Sequence, residues 1–178
     1  MNSGKTLLVH GRFQPFHNGH LWLVIQALAQ AEHVLIGICT PEICSQEIAE
    51  QTGYPCTAEQ NPYSYTDRVR MITDSLTEKG IDPDRYTCMP FPSDYSGVSE
   101  SIPHDTIFLL SVANESDTQK ADYIRTLGFE VETTRIPSVR NESGSHIRSL
   151  VQANSQPWHE LVPPAVRAIL EEQFEANR

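Results

Sequence analysis

The reading of this chain turns on residues 6–31: TLLVH (6–10), GRFQPFHNGH (11–20) and LWLVIQALAQA (21–31). Thr6–His10 is a short apolar run and reads as a strand, whereas Gly19–Ala31 carries Leu21, Val24, Ile25 and Leu28 at helical spacing on one face. The turn between them holds Gly11 and Gly19, residues that permit tight turns and close backbone approach. His17 and His20 fall on either side of the helix start. In an open parallel sheet such a turn lies at the carboxyl edge, where ligands bind. A helix N-terminus there offers free N–H groups to an anion, and two imidazoles beside it can donate hydrogen bonds to phosphate oxygens.

Outward from that turn the same alternation repeats. Val34–Cys39 reads as a buried strand and Ser64–Lys79 as a helix with Val69, Ile72 and Leu76 as its apolar stripe and Gly80 as its stop. Thr87–Phe91 and Thr106–Val112 read as strands, Ser116–Leu127 as a helix ending at Gly128, and Phe129–Thr134 as a further strand. This order predicts an α/β fold, a doubly wound, Rossmann-like parallel sheet with helices on both faces. Residues 143–178 show only helical patterns, and Pro163-Pro164 suits the start of a last helix that packs Val166, Ile169, Leu170 and Phe174 on the core. The expectation is one domain, 1–178, with a helical C-terminal subregion at 143–178. Thr40–Tyr63 and Pro92–Asp105 are long connections, and connections of that length are more often functional than idle.

Composition narrows the function classes. The 178 residues are 39% apolar and 20% charged, ordinary for a globular protein. With 13 Lys+Arg against 23 Asp+Glu, the formal charge of -10 argues against a nucleic-acid binder, which needs positive charge to displace counterions. It does not argue against one phosphate pocket, because the acidic excess lies in stretches such as Glu42–Glu59, Asp74–Asp84 and Glu171–Glu175. No apolar run approaches the roughly 20 residues that span a bilayer, and the polar start predicts no signal peptide. Cys39, Cys44, Cys56 and Cys88 follow no zinc spacing and are expected to be reduced thiols of a cytoplasmic protein. Ser3-Gly4-Lys5-Thr6 looks like the end of a phosphate-binding loop but lacks the upstream glycine and strand.

A second segment, Ser143-Gly144-Ser145-His146-Ile147-Arg148, places a serine and glycine ahead of a helix with an arginine in its first turn. Such a cap exposes backbone N–H groups, and the guanidinium can grip phosphate through several donors. Read alone, it is also what an ordinary helix cap with a solvated arginine looks like.

GRFQPFHNGH resembles the G-x-F-x-P-x-H-x-G-H signature of the nucleotidylyltransferase superfamily, and residues 143–148 resemble its S-x-x-I-R motif. Within it the chain is similar to the archaeal-type nicotinamide mononucleotide (NMN) adenylyltransferases and to the small-phosphonate cytidylyltransferases that look like them. Asn61-Pro62-Tyr63 with Asp67-Arg68-Val69, and Trp158 through Pro163, extend the likeness over nearly the whole chain. The resemblance implies transfer of a nucleoside monophosphate from CTP or ATP to a phosphate or phosphonate oxygen, with release of pyrophosphate. It implies that His17, His20 and Arg148 are catalytic. It implies nucleotide binding at Gly11, Arg12, Phe13, Gly19, Asn114, Ser143, Gly144, Ser145 and Ile147. The expected acceptor side holds Arg12, Gln60, Asn61, Tyr95 and Arg140. Magnesium is expected to arrive with the triphosphate, without a dedicated protein metal site.

The departures fall on the acceptor side. Gln60 stands where the family places an arginine, and Pro92–Asp105 holds Tyr95 but none of the tryptophan that stacks on nicotinamide in the family. Ser111-Val112-Ala113-Asn114 replaces the usual Ser-Gly-Asn, and the loop before Gln60 is lengthened by Gly53-Tyr54-Pro55. A base–aromatic stack is worth about 1–3 kcal/mol, so these changes predict a small phospho- or phosphono-acid acceptor in place of NMN. The NMN adenylyltransferase is the alternative, and a nucleotide-binding regulator without turnover is a third reading. The expected partners are a nucleoside triphosphate and a small phosphorylated or phosphonate acceptor, with neither nucleic acid nor membrane. The sequence leaves a homo-oligomer open.

Overall fold

β1 (Thr6–Gly11) is apolar on both faces, and it takes the centre of the sheet. A computed structural model of the protein describes residues 4–39, 43–52, 55–137, 143–155 and 157–176. In it Leu7 and Val9 point into one layer of the core and Leu8 into the other. β2 (His33–Cys39) and β3 (Tyr86–Phe91) add on one side, β4 (Ile107–Ser111) and β5 (Glu130–Thr134) on the other. The order is β3-β2-β1-β4-β5, and every pairing is parallel.

The helices cover both faces. α1 (Asn18–Gln30), α3 (Tyr65–Glu78), α6 (Gly144–Gln152), α7 (Trp158–Leu161) and α8 (Pro164–Ala176) bury Val24, Ile72, Ile147, Trp158 and Ile169 with Leu7 and Val9. α4 (Val98–Ser101) and α5 (Glu115–Thr126) bury Val98, Ala121 and Ile124 with Leu8 and Phe108 on the opposite face. This is the doubly wound α/β fold the sequence predicts. Strand order reverses between β1 and β4, and such a reversal opens a crevice at the carboxyl ends of the two strands.

Element ends shift by a residue or so from the sequence reading. Phe129, read as strand, precedes β5 but is buried with Phe108. Two helices were not foreseen, α2 (Gln46–Thr52) and α4, one in each long connection. Both are short, and α2 has no apolar stripe to announce it: Ile48 is exposed and only Ala49 is buried. The side chain of Phe174 lies outside the described residues.

One expectation is corrected. Cys44 and Cys56 form a disulfide, leaving only Cys39 and Cys88 as free thiols, both pushed up to about 11 by burial. The chain doubles back so that Cys44 N–H donates to the Cys56 carbonyl at 2.9 Å and the two Cα atoms stand 5.3 Å apart, within bonding reach. Spacing in sequence cannot report that fold-back, and two free thiols stand where four were expected.

Gly37 in β2 allows Phe91 to lie flat on the sheet, since a Cβ there would come within 2.8 Å of the Phe91 ring and 3.0 Å of its Cβ. Gly37→Ala is therefore expected to destabilise the fold by about 1–3 kcal/mol through overpacking, measured as a lower urea midpoint at unchanged slope.

Candidate active site

His17 is the N-cap of α1, with extended backbone, and its Nδ1 accepts from the N–H groups of Gly19 at 3.1 Å and His20 at 3.4 Å. His20 answers: its Nδ1 accepts from the His17 N–H at 3.4 Å. The pair is a capping box made of two imidazoles, at the same spacing that S-x-x-E uses. The rings stack with centroids 3.5 Å apart. Because both Nδ1 atoms accept, each neutral ring carries its proton on Nε2.

Both rings are held neutral. Burial lowers His17 to about 4, and burial together with His17 and Arg12 holds His20 well below its ordinary value. Phe13 stands edge-on to His20 at 4.9 Å and Phe16 lies against it at 5.8 Å, which fixes the ring. Phe13 itself is buried with φ at 52°, an uncommon backbone conformation for a bulky residue.

The second motif is docked on the first through Gln14. Arg148 is buried, and its Nη1 donates to the Gln14 carbonyl at 2.7 Å. Gly144 lies so close that a Cβ there would stand 2.7 Å from the same oxygen. The Gln14 side chain also donates to the Tyr63 carbonyl at 2.9 Å and accepts from the Tyr63 N–H at 3.0 Å, an amide pair that copies a sheet ladder. One buried glutamine thus joins the α1 turn, the start of α6 and the segment before α3.

A cleft of about 420 Å³ opens at the β1–β4 reversal. Gly11, His17, His20, Asn114 and Ser143 line it, together with His10 and Lys120. Around the start of α6, a second hollow of about 300 Å³ is lined by Gln60, Ser145 and Arg148, with Glu59 as its one carboxylate. Ser143 caps α6 by accepting from the His146 N–H at 3.2 Å, and its hydroxyl is 3.1 Å from that of Ser145. Ile147 turns fully into the core. Arg12 reaches toward the Pro55 and Gln60 carbonyls and Asn61 Oδ1 at 3.4–3.5 Å, so Arg12, Gln60 and Asn61 come together. The Gln60 side chain accepts from Thr57, and that of Asn61 donates to the Pro55 and Thr57 carbonyls, which holds the turn.

The Tyr95 hydroxyl lies 2.7 Å from His10 Nε2, and its ring is edge-on to Phe91 and Tyr123. Arg140 lies outside the described residues. Among the described residues, no three His, Cys, Asp or Glu side chains are grouped to hold a metal. Asp117, the carboxylate lining the cleft, accepts from the Ala113 and Asn114 N–H groups. The donor set fits no resident magnesium.

A model of cytidylyltransferase-like proteins matches residues 8–149. The chain belongs to the cytidylyltransferase-like family. It is 30% identical over 171 residues to a phosphonoformate cytidylyltransferase of Streptomyces viridochromogenes, covering 94% of this chain and 91% of that one. It is 28% identical to a nicotinamide-nucleotide adenylyltransferase of Thermococcus onnurineus, covering 94% and 83%. The crystal structure of a bifunctional NMN adenylyltransferase/ADP ribose pyrophosphatase from Francisella tularensis shares the fold at a TM-score of 0.67 and 16% identity. That match covers 97% of this chain and 54% of the other, so the chain spans about half the length of that protein.

In this cytidylyltransferase-like chain, four residues that shape the site, Arg68, His10, Gln14 and Lys120, are not among the expected site residues. Arg68 is buried and donates to the Arg12 and Cys39 carbonyls, each at 2.7 Å, stapling α3 to the ends of β1 and β2. Its place one turn before Ile72 on the apolar stripe was a usable signal. His10 follows Leu8 in phase on a strand, a weaker signal, and Gln14 and Lys120 gave none.

A histidine kept neutral by burial makes stability depend on pH. The unfolded chain protonates near 6.5 while folded His17 does not until about 4, so the unfolded state binds more protons in that window. Stability is complete above pH 6.5 and falls as pH drops toward 4. His17→Asn keeps an N-cap side chain and should reduce the slope of stability against pH between 4 and 6.5 by about one proton, or about 1.4 kcal/mol per pH unit. Equal slopes in urea titrations of the two proteins would show that His17 is not buried neutral.

Proposed function

We propose that this protein is a cytidylyltransferase for a small phospho- or phosphono-acid. An acceptor oxygen attacks the α-phosphorus of CTP in line, the bond to the β-phosphate breaks, and pyrophosphate leaves. The acceptor is already an anionic oxygen, so no protein nucleophile is needed and catalysis rests on positioning and charge stabilisation. The observation that carries the reading is the His17–His20 capping box, whose two Nε2–H groups are left for phosphate oxygens once both Nδ1 atoms accept from backbone.

In this reading His17 and His20 bind the α- and β-phosphates. The N-terminus of α6, with Ser143, Ser145 and Arg148, binds the β- and γ-phosphates. Arg12 stands toward the acceptor with Gln60 and Asn61. Magnesium enters as part of the triphosphate substrate and neutralises its charge.

One observation supports an amino-bearing base and another bears on the acceptor. The N–H groups of Val112, Ala113 and Asn114 are taken by Thr134 and Asp117, so that loop has carbonyl oxygens to offer, which suit the exocyclic amino group of cytosine or adenine. Tyr95 is tied to His10 and stands edge-on to Phe91 and Tyr123, which supports a positioning role for this ring over stacking on nicotinamide. The adenylyltransferase reading keeps the support of the Thermococcus relative.

Pyrophosphate release from ATP, CTP, GTP and UTP, each with NMN, small sugar phosphates and small phosphonates, separates the readings. The expected result is turnover with CTP and a small phosphonate or phosphate; turnover confined to ATP with NMN would refute it. His17→Ala and His20→Ala should each lower kcat by roughly 100- to 1,000-fold, the cost of one preorganised donor.

A further inference from the structure

The cleft at the β1–β4 reversal extends onto the face of the sheet opposite α1, and the residues there are not explained by a triphosphate. His10 follows Leu8 on that face, packed among Phe91, Tyr95 and Phe108. Its Nε2 meets the Tyr95 hydroxyl at 2.7 Å, while its Nδ1 is buried without a hydrogen-bond partner. A buried polar atom left unpaired costs about 1–3 kcal/mol, and in a native site such an atom asks for a ligand or a water. The tautomer in which the tyrosine hydroxyl donates to Nε2 leaves a proton on the orphan Nδ1.

Lys120 lines the same cleft from α5 and is near enough to His10 to act on it electrostatically. Among the described residues its ammonium group makes neither ion pair nor hydrogen bond. The chain carries a formal charge of -10, so carboxylate partners are plentiful, yet this cation faces a cleft whose one lining carboxylate, Asp117, is spent on backbone N–H groups. An ammonium and an N–H donor lining one cleft can recognise an anion. The nucleoside end of a triphosphate is uncharged, and its phosphates have His17, His20 and the α6 N-terminus on the other side of the cleft.

Resting on the function proposed above, we infer that Lys120 and His10 form an acceptor subsite for a second anionic group, selecting phosphonates or phosphates that also bear a carboxylate. Tyr95 is then a positioning residue that fixes the His10 ring rather than a platform for a base.

The test is equilibrium binding by calorimetry, with a non-hydrolysable CTP analogue and magnesium present, of two probes: phosphonoformate, which carries a carboxylate, and methylphosphonate, which does not. The wild type should bind phosphonoformate at least about 10-fold more tightly, the scale of one charge-assisted hydrogen bond. Lys120→Ala, at an exposed helix position that leaves the core intact, should bring the two affinities within about 3-fold while leaving the affinity for the CTP analogue unchanged. His10→Gln should reduce the preference in the same direction. A preference that survives Lys120→Ala, a loss of affinity for the CTP analogue instead, or no binding of phosphonoformate by the wild type overturns the subsite. Phosphonoformate that binds with this preference but releases no pyrophosphate from CTP would leave the subsite standing and count against the cytidylyltransferase reading.

Discussion

Everything at the site depends on how the first turn of α1 is closed. The usual cap is a hydroxyl at the N-cap and a carboxylate three residues on, and a carboxylate there would repel a phosphate. Here His17 and His20 make the same reciprocal bonds with Nδ1, so the helix is capped without adding negative charge. The bonds also decide the tautomer. Two neutral rings, stacked at 3.5 Å, are left with their remaining protons on Nε2, and the helix N-terminus lies beneath them. Folding thus uses one side of the two rings and leaves the other for the phosphate binding proposed above.

From that turn the constraint spreads through buried polar contacts. Gln14 holds the Tyr63 backbone on one side and, through its carbonyl, Arg148 on the other. Arg68 binds the carbonyls of Arg12 and Cys39. Neither cation is bonded to a carboxylate in these contacts; both are satisfied by carbonyl oxygens, which meets the hydrogen-bond needs of buried groups. The net charge of -10 is therefore carried mostly away from this site, where Asp117 lines the cleft and Glu59 the hollow beside Arg148. The cleft gathers the carboxyl ends of β1 and β4, and strand order alone puts it there.

Periodicity made the sheet, its helices and the position of the α1 turn legible in the sequence, because those elements bury apolar stripes. The same rule explains what was missed: α2 buries almost nothing, and α4 is a single turn. The histidine pair and the second motif were legible as segments, but the contact between them was not. It depends on Gly144 approaching the Gln14 carbonyl and on Arg148 reaching back to it, and long-range backbone approach leaves no pattern in one sequence. The cysteines failed for a related reason, since the pairing of Cys44 with Cys56 follows from a fold-back of the loop. Tyr95 was legible as an aromatic in a functional loop, but its tie to His10 required the strand and the loop to be seen together.

The central claim is that the folded chain presents two neutral Nε2–H imidazoles to its ligand. Long-range proton–nitrogen NMR of the imidazole rings in the ligand-free protein at pH 7 tests it directly, with His17→Asn and His20→Asn variants to assign the signals. Both residues are expected to show a protonated Nε2 and an unprotonated Nδ1. Protonation at both nitrogens of either ring, or at Nδ1 alone, would contradict it.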